Sequence, residues 1–143
     1  MKPYISFGLF CIFSFSLLTF QSACSKEEIA TFEVIDVQPS EAAEKLQSES
    51  IVVLDVRTPQ EADAGHIPGS ININIADPDF AAQVAKLDSS KTYMVHCQKG
   101  SPGGRSRRSL EALENLGVGK VYHLERGFSG WAGAGNEVET AAK

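Results

Sequence analysis

Cysteine is scarce in this chain. Three residues, Cys11, Cys24 and Cys97, are spread over 143 positions, and Cys97 has no evident disulfide partner. No second cysteine stands at metal-ligand spacing from Cys97 or from the three histidines, His66, His96 and His123, which argues against a zinc site, so no metal is expected. Basic residues are also few. Thirteen Lys and Arg face eighteen Asp and Glu, for a net charge of −5. That balance leaves no footprint for a nucleic-acid partner. An apolar run of membrane-spanning length is missing as well: Ile5 to Phe20 is uncharged for sixteen residues, whereas a span needs about 20. Internal repeats are absent, and 143 residues leave room for one domain and a leader.

The leader is residues 1–23. Met1 and Lys2 give a short positive start, the apolar stretch follows, and Gln21, Ser22, Lys26, Glu27 and Glu28 close it early. This is the pattern of a signal peptide, so the mature chain is expected outside the cytoplasm, in the periplasm. Ser22-Ala23-Cys24-Ser25 resembles a bacterial lipoprotein processing site, with Gln21 where leucine is usual. Two outcomes stand open: ordinary cleavage near Ala23, or lipidation of Cys24 as the mature N-terminus with attachment to a membrane through that lipid. Removing residues 1–23 takes away one base, Lys2, and no acid, which moves the net charge from −5 to −6.

Beyond a linker at 24–31, strand and helix signals alternate. Strands are predicted over Phe32–Val37, Ile51–Val56, Ile71–Ile75, Thr92–His96 and Val121–Leu124. Helices are predicted over Pro39–Leu46, Pro59–Ala64, about Asp77–Leu87 and Arg105–Leu116, the last carrying Leu110, Leu113 and Leu116 on one stripe before Gly117 stops it. The near-continuous apolar run at Ile51–Val56 belongs to a strand covered on both faces. The fold class is therefore α/β, an open, largely parallel five-stranded sheet flanked by helices on both faces, over residues 32–133. Residues 134–143 read as a flexible tail.

Cys97 ends the apolar run Thr92–His96 and is followed by Gln98-Lys99-Gly100-Ser101-Pro102-Gly103-Gly104-Arg105, which leads into a helix. Ligands bind at the carboxyl ends of strands in such sheets, and Cys97 occupies that position. A thiol beside inward-turned backbone N–H groups and a helix N-terminus is stabilised as the thiolate, and the same loop can hold an anionic substrate. Lys99 and Arg105 are the expected fixed charges. Arg107 and Arg108 are adjacent on a helix and point apart, so at most one serves the site. His96 precedes Cys97 on the strand and points to the opposite face, and His66 reads as a turn histidine bonded to backbone.

Three blocks together resemble the single-domain rhodaneses, from roughly Phe32 to Trp131. They are Leu54-Asp55-Val56-Arg57 with Glu61 and Gly65-His66-Ile67-Pro68-Gly69-Ser70; Cys97 with its loop; and His123-Leu124-Glu125-Arg126-Gly127-Phe128-Ser129-Gly130-Trp131, with Arg126 where a second glycine is usual. The resemblance implies a rhodanese-type sulfurtransferase without organic cofactor. Sulfane sulfur would pass from thiosulfate or a related small anionic donor to a thiol or cyanide acceptor through a persulfide on Cys97. It further implies a substrate-binding loop of Gln98, Lys99, Gly100, Ser101, Gly103, Gly104 and Arg105. Asp55, Arg57, Glu61 and Glu125 are read as structural support. Seven residues separate Cys97 from Arg105, whereas common members have about four and the related phosphatases five. Loop size sets substrate radius, so phosphatase activity and a non-catalytic sulfur-binding module remain as alternatives.

Overall fold

The computed structural model describes residues 31–141. The segment read as a signal peptide, Cys24 and the rest of the segment read as a linker before Thr31 lie outside them. Among the described residues, no helix is long and apolar enough to cross a membrane. In chain order the elements are β1 (Glu33–Val37), α1 (Pro39–Ser48), β2 (Ile51–Asp55), α2 (Pro59–Asp63), β3 (Ile71–Asn72), α3 (Phe80–Val84), β4 (Thr92–His96), α4 (Arg105–Leu116), β5 (Lys120–Leu124) and α5 (Gly127–Gly133).

The five strands form one sheet in the order β1-β5-β4-β2-β3, and every pairing is parallel. Alternation along the strands divides the core in two. Leu54, Tyr93, Val95, Val121 and Cys97 pack with Phe80, Val84 and Leu113 from α3 and α4. Val53, Met94, Tyr122 and Leu124 pack on the other face with Ala42 and Trp131 from α1 and α5. Each fully buried aliphatic side chain contributes roughly 1.5–3 kcal/mol. That accounts for the uninterrupted apolar character of the central strands, which have no wet face. From β2 the chain moves outward to β3, and from β4 it moves the other way to β5. The loops after β2 and β4 therefore part at their carboxyl ends and leave a crevice there, where Cys97 lies.

Three elements differ from the sequence reading. The third strand is regular only at Ile71–Asn72; beyond it the chain stays tied to the end of β2 by Ile73 N on Asp55 O and Ile75 N on Val56 O, with the Asn72 side-chain amide donating to the carbonyls of Asp55 and Arg57. The third helix begins at Phe80 and not at Asp77. Pro78 disfavours helical geometry at the residue before it. Finally, α5 was not anticipated. Its three glycines, Gly127, Gly130 and Gly133, are poor helix formers, and tertiary contacts carry it.

The segment read as a flexible tail is also corrected, up to Ala141. His66 and Glu139 exchange backbone hydrogen bonds of 2.8 and 2.9 Å, and Ala141 N donates to Asp63 O. The Trp131 indole N–H donates to Glu137 O at 2.7 Å. A backbone pair, one further backbone bond and one indole contact leave no trace in hydropathy, so composition could not reveal this anchor.

Candidate active site

Cys97 is the residue after β4, 4% exposed, at the floor of an open cleft of about 430 Å³ lined by Glu61, Gln98, Lys99, Ser101, Gly104, Arg105 and Arg108. Helix α4 starts without a side-chain cap at Gly104, so its first N–H groups remain available to a ligand. Burial pushes the Cys97 thiol up. The Ser106 hydroxyl and the N–H groups of Ser106, Gly100 and Lys99 outweigh it and hold the thiol below its ordinary value. The sulfur is thus partly withdrawn from water yet stabilised as an anion.

Backbone packing fixes the cradle. The N–H groups of Phe128 and Ser129 donate to the carbonyls of Cys97 and Gln98, each at 2.9 Å. This approach needs glycine on both sides. A Cβ on Gly127 (φ 53°) would stand 2.3 Å from Cys97 O, and one on Gly100 (φ 58°) would stand 2.5 Å from Gly127 N. Arg126, just before, is the one non-glycine residue among the described residues that adopts a left-handed conformation, at φ 61°. A second glycine there would be unstrained.

The loop residues divide into two groups. Lys99 and Gly100 turn their N–H groups to the sulfur. Ser101-Pro102-Gly103-Gly104 instead closes on itself, with Gly104 N donating to Ser101 O at 2.9 Å and Gly103 at φ 70°. Proline at the second corner and a left-handed glycine at the third make a type II turn. The extra length is a self-contained turn on the rim and does not enlarge the ring of amides around the sulfur. The Gln98 side chain bridges parts of the scaffold, accepting from Arg57 Nη1 at 3.0 Å and donating to Ser129 Oγ at 2.9 Å.

Of the residues read as support, Asp55 and Arg57 form a buried pair, 0% and 1% exposed. Arg57 Nε and Nη2 reach the carboxylate at 2.6–3.0 Å, and Nη2 also donates to Gly65 O at 2.7 Å. Its guanidinium lies 4.1 Å from the Phe128 ring centroid. Glu125 meets the side-chain amide of Gln38. It ties the end of β5 to the turn before α1, away from the sulfur. His96 faces away from the cleft as expected, stacked on Phe128. Complete burial holds its pKa down at about 4, so the ring is neutral.

The charges need one correction. Arg105 was expected to bring free positive charge to the sulfur, but its Nη1 and Nη2 bind both carboxylate oxygens of Glu61, at 2.6 and 2.7 Å. The pair has no net charge. Arg107 bonds Asp36, while Arg108 lines the cleft. Among the described residues, neither Lys99 nor Arg108 stands in an ion pair, so these two supply the cationic rim. Ser106 and Asp36 were not singled out from the sequence, and His123 was named only as a metal ligand set aside and as the first residue of the closing block. Only the position of Ser106 directly after the loop arginine could have pointed to one of them.

The rhodanese-like domain family model matches residues 38–134. The chain belongs to that family. It is 33% identical over 115 residues to the uncharacterized protein YibN of Escherichia coli K12, covering 80% of this chain and 74% of that protein. It is 31% identical over 104 residues to the thiosulfate sulfurtransferase GlpE of Tolumonas auensis, covering 72% of this chain and 91% of that protein. The crystal structure of a rhodanese-related protein from Thermoplasma volcanium superposes with a TM-score of 0.63 at 30% identity, covering 73% of this chain and 97% of that one.

In this rhodanese-like domain, Glu61 serves twice. It completes a capping box with Thr58 at the start of α2 and receives Arg105. Arg105 first, and Thr58 after it, hold the Glu61 carboxyl at about 2 against an ordinary value of 4.5, with burial opposing. The lowered folded value makes this stabilisation complete above pH about 4.5 and lost as pH falls toward about 2. Glu61→Gln keeps the cap and is expected to flatten the acid limb of stability in that window. Urea midpoints at each pH check this, and an unchanged limb would mean that the ion pair contributes nothing.

Proposed function

We propose that this rhodanese-like domain transfers sulfane sulfur from thiosulfate or a related anionic donor to a thiol or cyanide acceptor, with Cys97 as the carrier. The supporting observation is the sulfur itself, buried at the carboxyl end of β4, bonded by the Ser106 hydroxyl at 3.4 Å and held below its ordinary pKa by that hydroxyl and by the Ser106, Gly100 and Lys99 N–H groups. The thiolate attacks the outer sulfur of the donor. A Cys97 Sγ–S bond forms, the donor's S–S bond breaks, and sulfite leaves with the electron pair. The acceptor then attacks the terminal sulfur and Cys97 departs as thiolate, which the same amides stabilise. Lys99 and Arg108 offset the repulsion between the thiolate and the donor's sulfonate group.

Phosphoryl transfer is the weaker reading. A phosphoryl group asks the loop for a ring of inward N–H groups and a free arginine, whereas here Ser101–Gly104 is a closed turn and Arg105 is held by Glu61. The test is the intact mass of the protein after thiosulfate. A gain of one sulfur, followed by its loss and thiocyanate formation with cyanide, is the expected result. Hydrolysis of an aryl phosphate without sulfur gain would establish the phosphatase instead, and a stable sulfur with negligible release would establish a binding module. The leader sequence further supports export to the periplasm, which fractionation and the mass of the mature N-terminus would check, including any lipid on Cys24.

A further inference from the structure

Behind Cys97 runs a line of hydrogen bonds drawn from four elements. Ser106 Oγ, on α4, lies 3.4 Å from Cys97 Sγ and 2.9 Å from His123 Nε2 on β5. His123 Nδ1 lies 2.8 Å from Asp36 Oδ1 on β1, its register partner across the parallel pair. Asp36 is also bonded by Arg107. The sulfur, the Ser106 hydroxyl and the imidazole are buried, while the Asp36 side chain is 42% exposed. The line therefore leads from the nucleophile to solvent without an open channel.

Its polarity follows from the proton count. Burial pushes Asp36 up, but Arg107 and His123 outweigh it and keep the carboxyl below its ordinary value. An ionised Asp36 requires the proton of a neutral His123 ring on Nδ1, which leaves Nε2 a lone pair. Ser106 has one hydroxyl proton. Given to Nε2, it leaves Ser106 able only to accept from a Cys97 thiol. Given to a Cys97 thiolate, it leaves Ser106 able only to accept from a protonated Nε2. A thiol matches a neutral imidazole, and a thiolate bonded by Ser106 matches an imidazolium held by Asp36.

We propose that His123, held by Asp36 and acting through Ser106, is a positioning residue that takes the Cys97 proton when the sulfur ionises. The S–H bond breaks toward Ser106 Oγ, the Ser106 O–H proton passes to His123 Nε2, and the ring becomes an imidazolium paired with the Asp36 carboxylate. No electron leaves the group, and the reverse shift returns the proton when Cys97 is released after transfer. The use of this relay rests on the sulfur-transfer reading, while its existence does not. Other charges around the ring act on it from known directions. Besides Cys97 after β4, burial is the largest influence and opposes protonation, as does Arg107 on α4, while Asp36 on β1 and Glu125 at the end of β5 favour it; the balance holds the ring below its ordinary value, so the imidazolium depends on its pairing with the thiolate.

The test is the rate of Cys97 alkylation by iodoacetamide as a function of pH, read at that residue by peptide mass spectrometry on the full chain. Wild type is compared with His123→Gln, which keeps a polar group there but cannot carry the charge, and with Asp36→Asn. Near pH 6, His123→Gln is expected to react about tenfold more slowly than wild type, with Asp36→Asn between them, and all three rates should converge above pH about 9, where bulk water ionises the thiol. An unchanged profile, or a loss by one constant factor at every pH, would overturn the proposal, since the latter reports access and not proton transfer. Should His123→Gln fail to fold, the His123 ring is titrated by NMR in wild type and in Cys97→Ser. A downward shift of the ring's titration midpoint in the serine variant is expected, and coincident curves would overturn the relay. Iodoacetamide requires only a thiolate, so a negative sulfur-transfer assay leaves these results standing.

Discussion

Cys97→Ser is expected to abolish sulfur transfer, lowering thiocyanate formation from thiosulfate and cyanide by about three orders of magnitude or more, while the melting transition stays cooperative. The loss follows from the atom. A serine hydroxyl remains protonated at neutral pH, and its oxygen cannot hold a sulfane sulfur as a persulfide does. The fold should survive because the surroundings are polar where the sulfur points. The side chain meets the Ser106 hydroxyl and the N–H groups of Lys99, Gly100 and Ser106, so a buried hydroxyl finds partners and the change in stability should stay below about 1.5 kcal/mol. Thiocyanate assay beside urea denaturation separates the two effects. Residual turnover in the serine variant would remove Cys97 from the chemistry. Loss of the fold would show that the cradle itself depends on the sulfur.

What the sequence disclosed and what it concealed divide along sequence distance. The β4 strand, Cys97 at its end, the glycine-rich loop and helix α4 are contiguous, so hydrophobic period and glycine content sufficed to read them. The contacts that set the electrostatics are not contiguous. Glu61 and Arg105 are 44 positions apart, and Asp36 and His123 are 87 apart. Nothing in either local pattern announces its partner. Arg105 read alone looked like a free cation, and only the tertiary pairing shows that Glu61 neutralises it. The loop's length was visible but its shape was not, although Pro102-Gly103 is turn chemistry of a known type. Helix α5 was hidden for the opposite reason. Its glycines argue locally against a helix, yet Gly127 allows a backbone contact with Cys97 O that a Cβ would block. The unfavourable local choice is explained by what it positions.

The buried Asp55–Arg57 pair supplies the second large expected effect. Arg57→Met leaves the Asp55 carboxylate fully enclosed, without a counter-charge and with His96 Nε2, 3.9 Å away, neutral at ordinary pH. Removing one partner of such a pair costs about 3–5 kcal/mol, a large share of the roughly 5–15 kcal/mol that holds a domain together. The damage should also reach the site. Gln98 Oε1 and Gly65 O both lose their Arg57 donor, so the residue next to Cys97 loses its tether to the end of β2, and transfer should fall at temperatures where the variant is still folded. Removing both charges, as in Asp55→Leu with Arg57→Met, is expected to recover part of the stability. Recovery is incomplete because the Arg57 backbone N–H, which donates to Asp55 Oδ1 at 3.0 Å, then has no acceptor, at a cost of about 1–3 kcal/mol. A double-mutant cycle by urea denaturation reads the coupling directly. A single-variant loss under about 1 kcal/mol would mean that water enters to solvate Asp55, and that the pair orients the loop without holding the fold.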